Sequence, residues 1–159
     1  MRLNGVYALK NILKKVVNSV ILMTISASSL ANVMLVDGYV RAMPPSVPNS
    51  AAYFSLMNHG PSIKLIGVDV AFANEAQLHT VLEEDGMVKM RQTSSFEIAK
   101  DTTLTLSDSG QHVMLLGLKK PLVAGDSVEL MLRFDDGSQL PVSLMVSKQE
   151  MAKTHHHQH

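Results

Sequence analysis

The side chains that most directly suggest chemistry stand in Gly110-Gln111-His112-Val113-Met114-Leu115-Leu116-Gly117-Leu118. The run reads as a strand, bounded by the turn signals Asp108-Ser109-Gly110 and Lys119-Lys120-Pro121. Residues i and i+2 leave the same face of a strand. His112 and Met114 therefore project together, an imidazole nitrogen beside a thioether sulfur. A soft sulfur next to a borderline nitrogen suits Cu(I) better than Mg, Ca or Mn. A half-buried His beside a core Met would give the same pair with no metal at all. The weight of the pair rests on whether other His and Met residues match it.

Three histidines precede the C-terminal tail: His59, His79 and His112. His59 stands in Asn-His-Gly-Pro and reads as a solvated turn residue. His79 lies on a strand that feeds an Asp85-Gly86 hairpin, with Met90 on the returning strand. Ten residues separate His79 from Met90, and twenty-one separate Met90 from His112. Alternation makes Met87 and Met90 exclusive: Met90 shares a face with Val88 and Gln92, Met87 with Lys89 and Arg91. If Val88 packs inward, Met90 is the sulfur on the core or site side and Met87 the more exposed one. Met34, Met57, Met131 and Met145 read as ordinary gap-filling residues.

Composition narrows the remaining chemistry. The chain has 159 residues and no Cys, which removes thiolate metal sites, Cys nucleophiles, CxxC redox chemistry and the blue-copper centre. Residues 1–31 read as an export segment. Arg2, Lys10, Lys14 and Lys15 form a basic front, Val16 to Ile25 is mostly apolar, and Ser29-Leu30-Ala31 offers small residues for cleavage. The apolar run is shorter than the ~20 residues of a membrane-spanning helix. The expectation is therefore cleavage after Ala31, a periplasmic location and no stable membrane insertion afterwards. Residues 32–159 then carry ten Lys and Arg against fourteen Asp and Glu, a net −4. That balance argues against nucleic acid as a partner.

Short strands must position these residues. Candidates are Val33–Arg41 with a turn or bulge at Asp37-Gly38, Ala51–Met57, Ile63–Val70, Gln77–Leu82, Met87–Gln92, Phe96–Ile98, Thr103–Leu106, Gln111–Leu118, Ser127–Phe134 and Leu140–Val146. Ala71–Glu75 reads as a connection, and the proline-rich Pro44–Ser50 as a loop that cannot join a sheet interior. About nine short strands, turn signals at regular intervals and no helical period predict a β-sandwich over residues 32–146. Residues 147–159 read as a flexible tail.

With these elements placed, the sequence resembles the PCuAC-type periplasmic copper chaperones. His79, Met90, His112 and Met114 fill the His-X10-Met-X21-His-X-Met copper motif of that family. Further matching segments are Ala51-Ala52-Tyr53-Phe54, Asn58-His59-Gly60, Leu78-His79, Gly86 through Arg91, Gly110–Leu115 and Pro121–Asp126. The resemblance implies an all-β, cupredoxin-like Greek-key sandwich with an exposed Cu(I) site near one end, held by those four residues. It implies a carrier rather than an enzyme. Its cargo would go to the dinuclear copper site of cytochrome c oxidase subunit II or another copper-accepting protein, alongside a Sco-type chaperone. Two thioethers and two neutral imidazoles add no charge to a monovalent ion, and soft sulfur disfavours Zn²⁺.

Two other readings use the same strands. One is a periplasmic β-sandwich that binds a partner through its loops without metal. The other is a metallohydrolase, which needs an open site with activated water and a carboxylate ligand or base; no His-rich carboxylate motif is present. The tail adds a separate expectation. His155, His156, His157 and His159 form an imidazole-rich tract suited to Cu(II) or other divalent ions.

Overall fold

Alternating apolar residues with turn residues between them fold here into ten strands, with no helix among the described residues. The structure, a computed structural model, describes residues 32–84 and 86–148. The expected export segment, Asp85 of the predicted hairpin turn, and residues 149–159 of the expected tail (with all four of its histidines) lie outside the described residues, while Ser147, read as the start of that tail, is the last residue of the final strand. The strands are β1 (Val33–Arg41), β2 (Ser50–Asn58), β3 (Ile63–Val70), β4 (Ala73–Glu84), β5 (Met87–Gln92), β6 (Phe96–Ile98), β7 (Thr103–Thr105), β8 (His112–Leu118), β9 (Ser127–Phe134) and β10 (Gln139–Ser147).

The strands hydrogen-bond in the order β5-β4-β8-β2-β1-β10-β9-β3-β6, with β7 beside β2. β1 and β10 pair in parallel, Arg41 opposite Ser147, while the other ladders are antiparallel. This path folds over on itself, because the inward residues of both halves share one buried cluster. Phe54 of β2, Leu65 of β3, Phe96 of β6, Leu115 of β8, Leu132 of β9 and Leu144 of β10 all belong to it. Each such side chain contributes on the order of 1.5–3 kcal/mol when fully buried. The expected all-β sandwich is the fold observed.

Two details differ from expectation. The bulge in β1 lies between Leu35 and Asp37, one step earlier than the Asp37-Gly38 pair. Gly38 instead serves close packing: a Cβ there would sit 2.6 Å from the Cβ of Phe54. Residues 73–75, read as connection, are the first turn-free part of β4. Ala73 pairs with Leu118 and Glu75 with Leu116, so the ladder to β8 overrides the weak strand propensity of Ala, Asn and Glu.

β8 carries the His112–Met114 pair. Val113 and Leu115 are fully buried in the core, so alternation turns His112 and Met114 to the opposite, outer face of the sheet.

Candidate metal centre

Register decides which side chains meet on that outer face. Across β4 and β8, His79 stands opposite His112 and Gln77 opposite Met114. Across β2 and β8, Ala51 stands opposite Met114. Across β4 and β5, Gln92 stands opposite His79 and Met90 opposite Val81. Directly paired residues of an antiparallel ladder share a face, so His79, Met90, His112 and Met114 all project from one side. The two imidazole rings lie 5.9 Å apart, centroid to centroid, tilted by 36°.

Met90, His112 and Met114 line one cleft of about 410 Å³, together with Arg41, Met43, Tyr53 and Asp108 among others. His79 does not line this cleft; it lies one strand outward, against His112. His112 is 2% exposed, whereas Met90 is 52% exposed. The arrangement therefore has a buried nitrogen at its base and an open sulfur at its edge. Met90 also borders a neighbouring cleft with Val81, Leu82 and Val88.

Met90 shares a face with His79, but the condition attached to its assignment fails. Val88 does not pack inward; it is 75% exposed, and Met87 is 57% exposed. The whole end of the β4–β5 hairpin projects past the core, so the face of Met90 is set by its pairing with Val81. On the other face of the hairpin, Glu84 holds Arg91 at 2.7 Å and Lys89 at 3.2 Å. The hydrogen bonds from Arg91 and then Lys89 hold the Glu84 carboxyl below the ordinary range. Gly86 takes a positive φ of 72° at the turn, which glycine adopts without Cβ strain.

Hydrogen bonds orient both rings. His112 Nδ1 donates to the Gly110 carbonyl at 3.2 Å, so its Nε2 is left free. His79 Nε2 is bonded to Gln77 Oε1 at 2.9 Å, and His79 Nδ1 is buried with no hydrogen-bond partner. Burial, and secondarily the neighbouring His112, push the His79 imidazole below its ordinary value. Both effects favour the neutral form, which is the form that binds metals.

Tyr39, Ala51 and Tyr53 form a small buried cluster of their own on this face. The Tyr53 ring lies 6.2 Å from His112 and 5.2 Å from Tyr39, and burial raises its hydroxyl above the usual phenol value. Arg41 sits over Tyr53 at 5.0 Å and reaches Asp108 at 3.5 Å. Sequence reasoning gave no role to Arg41, Met43, Gln77 or Asp108. Tyr53 was legible only as part of a matching segment, and Met43 was hidden because it lies between the end of β1 and the proline-rich loop, where no period holds. His59 stays apart, exposed past the far end of β2, its backbone N–H donating to Asn32.

Chemically, the face brings imidazole nitrogens and thioether sulfurs together, while its carboxylates are engaged elsewhere: Asp108, which lines the cleft, pairs with Arg41, and Glu75 accepts from Gln77. Among the described residues no three His, Cys, Asp or Glu side chains gather. A hard or divalent ion finds no anionic cage here, while a soft monovalent ion finds donors of matching character. The buried, unpaired nitrogen of His79 fits the same reading.

The family model described as LpqE-like matches residues 33–146. The chain is 37% identical over 99 residues to "Putative lipoprotein Lxx21020" of Leifsonia xyli, covering 61% of this chain and 60% of that protein. The chain thus spans about 60% of the length of the curated relatives it matches. Among solved structures, the Cu(I) form of DR1885 from Deinococcus radiodurans is 35% identical, with a TM-score of 0.62 over 81% of this chain and 87% of that one. The copper-bound PCuAC domain from PmoF2 is 18% identical, with a TM-score of 0.63 over 74% of this chain and 94% of that one. That last likeness concerns the fold alone.

Proposed function

This chain belongs to the LpqE-like family, and from that premise we propose that it is an exported copper carrier that binds Cu(I) through His79, Met90, His112 and Met114. The observation that carries the reading is the convergence of two imidazoles and two thioethers on one sheet face, with His79 in register opposite His112. The likeness to DR1885, solved in apo and Cu(I) forms, supports copper as the cargo. The lipoprotein description of a relative and the basic-then-apolar N-terminal segment support export to the periplasm.

Each group has a definable task in such a carrier. His112, buried and oriented by Gly110, supplies a nitrogen at the base of the cleft. Met114 supplies a sulfur two residues along the same strand. Met90, half in solvent, supplies the sulfur that an incoming or outgoing ion meets first. Copper leaves as it arrived, as cargo, because neutral ligands without thiolate hold a monovalent ion without trapping it. We take the recipient to be the dinuclear copper site of cytochrome c oxidase subunit II, with a Sco-type protein as a second participant.

Titration of the protein with Cu(I) against a competing chelator, with Zn²⁺ in parallel, tests the reading. The expected result is one equivalent of Cu(I) bound and Zn²⁺ held far more weakly. Preference for Zn²⁺ would overturn it. Mixing the Cu(I)-loaded protein with the oxidase copper domain and following the metal tests the recipient separately.

A further inference from the structure

Glu75, Gln77 and His79 alternate along β4 and share its outer face. Gln77 Nε2 donates to Glu75 Oε1 at 2.8 Å. A carboxylate only accepts, so this bond fixes which end of the Gln77 amide is which and turns its oxygen toward His79. There Gln77 Oε1 meets His79 Nε2 at 2.9 Å. A carbonyl oxygen also only accepts, so the imidazole must donate, and its proton sits on Nε2. The lone pair of the neutral ring then belongs to Nδ1, the atom that is buried with no hydrogen-bond partner.

Resting on the copper reading above, we propose that Gln77 is a positioning residue of the site: braced by Glu75, it locks His79 in the tautomer that presents Nδ1 to the metal. The register supports this placement, since Gln77 stands directly opposite Met114 and two residues from His79. His112 is set the other way, its Nδ1 proton held by the Gly110 carbonyl at 3.2 Å. The two imidazoles therefore offer different nitrogens, Nδ1 from His79 and Nε2 from His112. Outer partners of metal-binding histidines fix tautomer and ring orientation in this manner, and their loss weakens binding by about 10–100-fold.

Long-range ¹H–¹⁵N spectra of the apo protein read the tautomer of each histidine, and competition with a Cu(I) chelator reads affinity. Wild type should carry the His79 proton on Nε2. Q77L should shift His79 toward the other tautomer and weaken Cu(I) binding about tenfold or more. Its thermal unfolding should be unchanged, because Gln77 is only half-buried. The double variant E75Q/Q77E, which exchanges donor and acceptor within the brace and leaves a group that can only accept facing His79, should restore the wild-type tautomer and most of the affinity. A wild-type His79 protonated on Nδ1, or a Q77L protein that binds Cu(I) as wild type does, overturns the role of Gln77 and leaves the copper reading standing. Absence of Cu(I) binding by wild type overturns the copper reading and the metal half of this proposal with it, while the apo spectra still decide the tautomer.

Discussion

Met90 and Met87 stand three residues apart on one hairpin with nearly equal exposure, so burial cannot rank them as ligands. Pairing can. Met90 stands opposite Val81 on the face of His79, and Met87 stands opposite Glu84 on the other. Replacing Met90 by Leu removes the sulfur while conserving volume, a swap that costs little stability, least of all at a half-exposed site. M90L should weaken Cu(I) affinity by about tenfold or more, equivalent to ~1.4 kcal/mol or above, whereas M87L should leave it nearly unchanged. The reverse ranking in a chelator competition would place the site on the other face of the hairpin. The same scale holds the pH dependence. His79 has its imidazole pushed down, first by burial and then by His112, so protons displace it only at a pH below the ordinary ~6.5. The sign for folding follows. The contribution of this group is complete above ~6.5, the unfolded value, and is lost as pH falls through the lower folded value. Denaturation of the apo protein across that window should show a smaller pH slope in H79Q than in wild type; equal slopes would mean His79 is not shielded.

At the scale of elements, most of what was legible came from period two. The bounds of β3, β5, β6 and β9 coincide with runs that the sequence marks by alternation and by flanking turns. What alternation cannot supply is register between strands distant in sequence. His79 and His112 are thirty-three residues apart, and only the β4–β8 ladder makes them neighbours. Arg41 and Asp108 were invisible for the same reason, since they meet only in the folded chain, whereas Gln77 was missed because residues 71–75 read as a connection, which left Glu75 off the strand of His79. The β4–β5 hairpin carries its own consequence. Its tip lies beyond the core, so Glu84, with Lys89 and Arg91, does the holding there that apolar packing does elsewhere. E84Q should raise amide hydrogen exchange along β5 and weaken Cu(I) binding modestly, with the global melting temperature nearly unmoved, because such exposed pairs add little to overall stability. Acid should act in the same direction, since a depressed carboxyl gives its contribution above the unfolded value near 4.5 and loses it as pH falls through the folded one. Unchanged β5 exchange in E84Q would show that backbone pairing alone holds Met90 in place.

For the whole molecule, the parallel pairing of β1 with β10 fixes where the chain leaves the described body. Ser147 stands opposite Arg41, and Arg41 lines the cleft of Met90, His112 and Met114. The eleven residues after Lys148 include His155, His156, His157 and His159, and at roughly 3.3 Å per residue they can span the cleft in an extended form. Imidazoles suit Cu(II), with Met151 the one sulfur of this segment, and ordering them on a metal costs conformational entropy, so this second binding should be the weaker of the two. On the proposal that the tail binds copper, a short tether would present that copper to the folded site at effective concentrations on the order of millimolar. Reduction to Cu(I) must come from another molecule, because the chain has no Cys to supply electrons. Truncation after Lys153 should therefore abolish the weaker Cu(II) binding and leave Cu(I) binding by His79, Met90, His112 and Met114 intact. Titration calorimetry of full-length and truncated protein with each oxidation state measures both. If truncation lowers Cu(I) affinity, the tail lends ligands to a single shared site, and the division into a Cu(I) site on the sheet and a Cu(II) site on the tail is wrong.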